Sequence, residues 1–231
     1  MPDFLTHKSI FSYKYINAQE CLNILTEDEK QELIIKKSDI SFVAGETIIK
    51  RGMLANNVLY ITEGLAKIEF INDSKPFTIG ITQPHSFIGI VCCFAFEKFD
   101  FTATALTKSK VSFIPMDLIK TFIKENGEFA LSLIEHMSGI SNGIIHRISS
   151  LSQKNIEGAL SILLLDFVKI YNSNKYILPM NRAELANMLG YSKESVINTL
   201  SKFNKEKIIS VSDRKIEILN LKTLEKISKI G

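Results

Sequence analysis

The 231-residue chain is 45% hydrophobic and 23% charged, a balance that suits a globular protein with room for two separate cores. It contains no run of about 18 uncharged apolar residues, which excludes a transmembrane helix. Residues Met1 to Tyr15 lack the apolar centre of a secretory leader, so a cytoplasmic location is expected. The net charge of +3 is unevenly spread: Asn181 to Gly231 hold 10 Lys and Arg against 6 Asp and Glu, whereas Met1 to Met180 hold 18 against 19.

Residues 1–35 read as helical, with Thr26-Glu27-Asp28-Glu29 as a capped helix start and Leu25, Leu33 and Ile34 as apolar anchors. From about Ser38 to Pro115 the pattern changes to short apolar alternations broken by glycine. The spacing predicts strands at Asp39–Val43, Thr47–Lys50, Asn57–Glu63, Gly64–Ile71, Phe77–Thr82, Phe87–Ile90, Phe101–Leu106 and Lys110–Ile114. Turn signals fall at Ala44-Gly45, Arg51-Gly52, Asn72-Asp73 and Gln83-Pro84. Many short strands at this spacing predict an antiparallel sandwich or barrel. Three cysteines, Cys21, Cys92 and Cys93, rule out a disulfide scaffold, and the adjacent pair reads as buried strand residues.

Asp117 is expected to cap a helix over Leu118–Lys124. A long helix then runs from about Gly127 to Ser152, with Phe129, Leu133, Met137, Ile140, Ile144, Ile148 and Leu151 at steps of three and four. That row is expected to form a seam with a second copy of the chain, burial in its own β domain being the alternative. A further helix, Ile156–Tyr171, has a broad apolar surface and should seat the C-terminal module. The domain boundary is placed at residue 152, giving 1–152 and 153–231.

The last module carries the sharpest signal. Asn181 caps a short helix whose Leu185, Met188 and Leu189 share one face, and Gly190 ends it in the left-handed conformation that glycine tolerates. Ser192 caps a second helix with Val196, Leu200 and Phe203 buried and Lys193, Asn198, Ser201, Lys202 and Lys205 outside. Ile208–Val211 and Lys215–Leu219 then flank the turn Ser212-Asp213-Arg214. Two helices joined by a glycine turn and followed by a hairpin make a winged helix-turn-helix, whose second helix enters a major groove with its N-terminal side chains leading. The surplus positive charge of the same module fits phosphate contact.

This order, an α+β chain with an antiparallel β-roll of jelly-roll type, a long dimerisation helix and a C-terminal winged helix-turn-helix, resembles the CRP/FNR superfamily of bacterial transcription regulators. The resemblance is carried by Gly45-Glu46-Thr47-Ile48-Ile49, Gly52, Leu59 to Gly64 and Ser86-Phe87-Ile88-Gly89 in the roll. In the C-terminal part it is carried by Arg182-Ala183-Glu184-Leu185-Ala186, Leu189-Gly190, Ser192 to Val196 and Leu200-Ser201. It implies a homodimer on double-stranded DNA with a near-palindromic operator, RNA polymerase as a partner, no membrane and no enzymatic activity. Arg182, Ser192, Lys193, Glu194, Ser195, Asn198 and Lys202 are the implied DNA-binding residues. Glu194 suits a cytosine amino group, Asn198 an adenine edge, Lys193 a guanine or a phosphate, and Arg182 and Ser192 act as phosphate anchors.

By the same resemblance the effector pocket falls at His85, Phe87, Gly89, Ile90, Phe101 and Thr102. Family members that bind cyclic nucleotides place a Glu and an Arg there, and Ile90 and Phe101 stand at those positions here. A phosphate buried without its cation would cost several kcal/mol, so cyclic AMP is not expected. Three cysteines cannot supply the four thiolates of an iron–sulfur cluster. Haem held by His85, in a redox or nitric-oxide sensor, is one alternative, and a hydrophobic metabolite among Phe87, Ile90, Phe94 and Phe101, or plain packed core, are others. A cyclic-nucleotide-binding regulatory module leaves the winged helix unexplained. A cupin-type enzyme needs several metal-binding histidines where the β region has His85 alone.

Overall fold

The computed structural model describes residues 17–72 and 75–231. The described residues fall into two compact units that divide between Asn142 and Gly143. In the first unit, α1 (Ala18–Asn23) and α2 (Glu27–Lys36) begin with capping boxes, Asn17 with Glu20 and Thr26 with Glu29. Each box satisfies two backbone amides that the first helical turn leaves without partners. Leu33 is buried as expected, but Ile34 is exposed. The expected helical character of residues 1–16 lies outside the described residues, as does Asp73 of the expected turn.

The strands follow as β1 (Ser38–Phe42), β2 (Thr47–Ile49), β3 (Asn57–Glu63), β4 (Ala66–Asn72), β5 (Lys75–Thr82), β6 (Ser86–Ile88), β7 (Thr102–Ala105) and β8 (Ser109–Pro115). They form two four-stranded antiparallel sheets, ordered β1-β8-β3-β6 and β2-β7-β4-β5. The register pairs Leu59 of β3 with Phe113 of β8 and Ile68 of β4 with Ala103 of β7. Val58, Ile61, Ile88, Ala103, Val111 and Ile114 are almost wholly buried in the one core that the unit closes. Side chains alternate across a strand, as β7 shows with Ala103 and Ala105 buried, whereas β3 buries Val58 to Ile61 in succession and is therefore covered on both faces.

Two expectations in this unit are corrected. Ile90 does not continue a strand: Gly89, at φ +76°, ends β6, and α3 (Ile90–Ala95) follows. Cys92 and Cys93 are therefore buried on a helix. The β-branched apolar run reads as strand locally, and tertiary packing overrides that preference. Pro115, not Asp117, stands at the cap of α4 (Met116–Glu125); it offers no side-chain hydrogen bond, and Asp117 sits in the exposed first turn. There its charge still complements the helix N-terminus.

α5 (Gly127–Ser152) has the expected bounds, but the apolar row expected to face a second copy is divided. Phe129 and Leu133, at 0% and 2% exposure, lie in the core of their own unit, with Met137 and Ile140 packed against it. Phe129 meets Phe122 edge to face at 6.0 Å. Ile144 and Ile148 are exposed, and the side chain of Leu151 lies outside the described residues. The outward apolar positions are Leu131 (59%), Ile134 (61%), Ile145 (63%) and Ile148 (64%), at the three- and four-residue steps of a helical seam through Ser138 and Ser141. Periodicity found one stripe, of which Phe129 and Leu133 serve the β-roll core while Ile144 and Ile148 stay exposed.

The second unit contains α6 (Ile156–Tyr171), β9 (Lys175–Ile177), α7 (Arg182–Leu189), α8 (Lys193–Lys205), β10 (Ile209–Ser212), β11 (Lys215–Ile218) and α9 (Leu221–Ile230). α6 buries Leu160, Leu163, Leu164 and Phe167 as its pattern requires. The hairpin β10–β11 is joined by β9 into a three-stranded sheet, an addition the sequence reading missed together with α9.

Two glycines separate backbone demand from crowding. Gly45 (φ +93°) has open space where a Cβ would stand, whereas at Gly64 (φ +85°) that atom would lie 2.3 Å from the Lys108 carbonyl oxygen and 2.7 Å from Ser109 Cα. Gly45→Ala should cost about 1 kcal/mol of backbone strain. Gly64→Ala should cost about 3 kcal/mol or more, because immovable backbone adds to the strain. Urea denaturation of the full chain measures both.

Candidate nucleic-acid interface

Local sequence builds the turn between α7 and α8. The Asn181 side chain accepts from the amides of Ala183 (2.9 Å) and Glu184 (3.1 Å), while Glu184 accepts from the Asn181 amide. Gly190 leaves α7 at φ +74°, and its neighbour Tyr191 donates its hydroxyl to the Lys154 carbonyl at 2.6 Å, pinning the turn beside the start of α6. Ser192 then accepts from the Ser195 amide at 3.1 Å and donates to the Ser195 hydroxyl at 3.0 Å. Removing such a cap costs about 1 kcal/mol.

α8 is seated by burial of Val196, Thr199, Leu200 and Phe203. The 3.6-residue period sends the remaining positions outward. Lys193, Glu194, Asn198, Ser201, Lys202 and Lys205 are exposed, so the expected base-reading side chains share one surface. Glu194 and Asn198 are engaged by no other described side chain. Ile197 also lies on this face, and the sequence reading had not counted it. The signal was available: an isoleucine one residue outside the Val196, Leu200, Phe203 stripe.

The other expected contacts are already engaged. Lys202 Nζ lies 2.5 Å from Glu157 Oε1 on α6, and that carboxylate raises the lysine's pKa. Arg182 is half-buried; its guanidinium donates to the carbonyl oxygen of Asp213 in the wing turn, and burial lowers its pKa. It therefore joins the first helix of the motif to the wing. Asn204 does the same from α8, accepting from the Val211 amide at 3.0 Å. The wing turn, with Asp213 at φ +52°, presents exposed Arg214 and Lys215, which the sequence reading did not assign to DNA. Lys175 and Glu217, opposite one another on β9 and β11, form an ion pair at 2.8 Å that steadies its base.

In the other unit, three of the residues expected at the effector pocket lie in packed core, a reading that the sequence also left open. Phe87, Ile90 and Phe101 are buried. Phe101 meets Phe99 edge to face at 5.5 Å, and Phe87 meets Tyr60 at 5.7 Å and His136 at 5.6 Å. A Cβ on Gly89 would fall 2.6 Å from Phe99, so the aromatic cluster packs directly against the Gly89 backbone. The Thr102 hydroxyl accepts from the Arg51 amide at 3.4 Å. His85, on an exposed turn at φ +64°, has Nδ1 2.8 Å from the Tyr60 hydroxyl, which donates to Gln19 at 2.6 Å. The His85 ring thus ties its turn to Tyr60 of β3, and through Tyr60 to Gln19 of α1. An open cavity of about 530 Å³ lies elsewhere, lined by Leu54, Phe94, Phe96, Met116 and Lys120 among others.

The chain is similar to known proteins. The family described as "Crp-like helix-turn-helix domain" matches residues 160–227, and "Cyclic nucleotide-binding domain" matches residues 39–126. The chain is 23% identical over 200 residues to the transcriptional regulator SdrP of Thermus thermophilus, covering 84% of this chain and 95% of that protein. It is 26% identical over 215 residues to the anaerobic regulatory protein of Haemophilus influenzae, covering 90% and 80%. In fold it resembles FixK2 of Bradyrhizobium japonicum, with a TM-score of 0.75, 16% identity, and coverage of 84% of this chain and 98% of that one.

The thiols of α3 generate one prediction. Burial, together with the Asp100 carboxylate 3.2 Å away, pushes Cys92 up to about 12; burial pushes Cys93, which donates to the Asn57 carbonyl, up to about 11. Both stay protonated below those values, and the thiol is a poor nucleophile. Iodoacetamide near pH 7 should leave both unlabelled in the folded protein and label them after denaturation, as read by peptide mass spectrometry.

Proposed function

Because the chain belongs to the CRP/FNR superfamily of transcription regulators, we propose that it acts as a homodimer that reads a near-palindromic operator through α8. The helix-turn-helix makes it a DNA-binding regulator, and neither its relatives nor its domains indicate catalysis. One observation supports α8 as the reader: a buried seam through Val196, Leu200 and Phe203 leaves Glu194 and Asn198 outward on a capped helix. In this reading Glu194 accepts from a cytosine amino group and Asn198 pairs with an adenine edge. Lys193, Ser195, Lys205, Arg214 and Lys215 supply phosphate and edge contacts. Arg182 positions the wing, and Lys202 reaches DNA by exchanging Glu157 for a phosphate.

The proposed dimer contact is the outward row Leu131, Ile134, Ile145 and Ile148, with Ile144 beside it. Two copies related by a twofold axis would place their α8 helices in successive major grooves, about one helical turn apart. Residues 1–152 form the sensor and dimerisation part in this scheme, residues 153–231 the DNA-binding part, and RNA polymerase is the proposed further partner. Cyclic AMP is not proposed as the signal, since buried Ile90 and Phe101 offer no cation for its phosphate. No helix among the described residues is long and apolar enough to cross a membrane, and the proposed location is the cytoplasm.

Two measurements test this reading. By analytical ultracentrifugation, Leu131→Asp and Ile145→Asp should yield folded monomers, whereas Leu133→Asp should unfold the β-roll unit by burying a charge. A folded, dimeric Leu131→Asp Ile145→Asp double variant would refute the seam. After selection of an operator from random duplexes, Glu194→Ala should relax one position of each half-site and leave affinity for scrambled DNA unchanged. Equal losses on both duplexes would remove Glu194 as a base reader.

A further inference from the structure

Ile197 is the exposed apolar side chain on the outward face of α8, 40% exposed in a row otherwise made of Lys193, Glu194, Asn198, Ser201 and Lys202. At about 100° per residue it stands about 60° from Glu194 and about 40° from Ser201 around the helix. A single exposed isoleucine is ordinary on a protein surface. This one is placed less freely. Its neighbours Val196 and Leu200 already complete the seat of α8, so the core makes no use of it. A β-branched residue is also a poorer helix former than the lysine, glutamate or glutamine that suit a solvent-facing helix position. It projects from the second turn of α8, close to the end that leads into a groove.

The floor of the major groove presents one protruding apolar group, the C5-methyl of thymine. We propose that Ile197 is a base-reading residue whose side chain packs on a thymine methyl in each half-site; this rests on the groove-reading role proposed for α8 above. The contact favours thymine over cytosine in two ways. Cytosine lacks the methyl, and it presents an amino donor that isoleucine would desolvate without pairing. Three residues advance about 4.5 Å along a helix, and successive bases lie about 3.4 Å apart. The thymine is therefore expected within about one base step of the cytosine that Glu194 reads.

Replacing single thymines by deoxyuridine removes the methyl and leaves every hydrogen-bonding edge intact. The operator selected by the wild-type chain is scanned this way, with affinities measured for the wild type and for Ile197→Ala at one salt concentration. The wild type should lose about three- to tenfold at one thymine per half-site. Ile197→Ala should bind the unmodified operator more weakly by a similar factor and lose its sensitivity at that thymine alone. Ile197→Val, which keeps a branched apolar end, should retain part of the discrimination. Because the side chain is outside the core, the melting temperature of Ile197→Ala should match the wild type, which separates lost contact from lost fold. A scan in which no thymine depends on Ile197, on an operator where Glu194→Ala still relaxes its own position, overturns this assignment and leaves the reader helix standing. Failure to select any operator overturns both.

Discussion

The seating of α8 through Val196, Leu200 and Phe203 is the constraint on which the functional reading depends. With those three side chains buried in the second unit, the helix cannot rotate about its axis without exposing them, at a cost of about 1.5–3 kcal/mol each. The rotation angle therefore decides that Glu194, Ile197 and Asn198 point outward. The ends of the helix are held separately. Tyr191 and the Ser192 cap fix where it begins, and Asn204 ties its last turn to the wing strand. A reader needs its polar residues presented without loss of conformational freedom at the moment of binding, and these ties supply that preorganisation.

Basic residues around the reader divide into two kinds. Lys193, Arg214 and Lys215 project into solvent, where in the proposed reading they would attract phosphate at long range. Arg182 and Lys202 are held by the Asp213 carbonyl and the Glu157 carboxylate. In the proposed reading a phosphate would have to displace those partners. Exposed ion pairs of the Lys202–Glu157 kind are worth little in isolation, which makes the exchange thermodynamically easy.

The packing of the β-roll unit bears on the signal considered above. A pocket for an anionic nucleotide needs space, a cation and a polar rim. Here Phe87, Ile90, Phe99 and Phe101 are buried in the core on which the two sheets close. Their burial stabilises the unit, and these four side chains offer no cation to an anionic ligand. Gly89 belongs to this arrangement, since the Phe99 ring occupies the place of a side chain there.

Much of this was legible in the linear chain where the determinants are local. Capping boxes, the Gly190 turn, the bounds of α5 and α6 and most strands rest on neighbours within four residues, so spacing alone exposes them. The polar face of α8 follows from the same periodicity. What the chain could not reveal is which of two competing surfaces takes an amphipathic stripe. Phe129 and Leu133 carry a seam pattern, yet the β-roll core claims them and turns Leu131 and Ile134 outward. Likewise Ile90 to Ala95 read as strand until Gly89 turned the chain into a helix, and the partners of Arg182, Lys202 and His85 lie 25 to 45 residues away in sequence. Local order sets the elements and the reader; only three-dimensional packing, through contacts distant in sequence, decided which faces were buried and which charges were already spoken for.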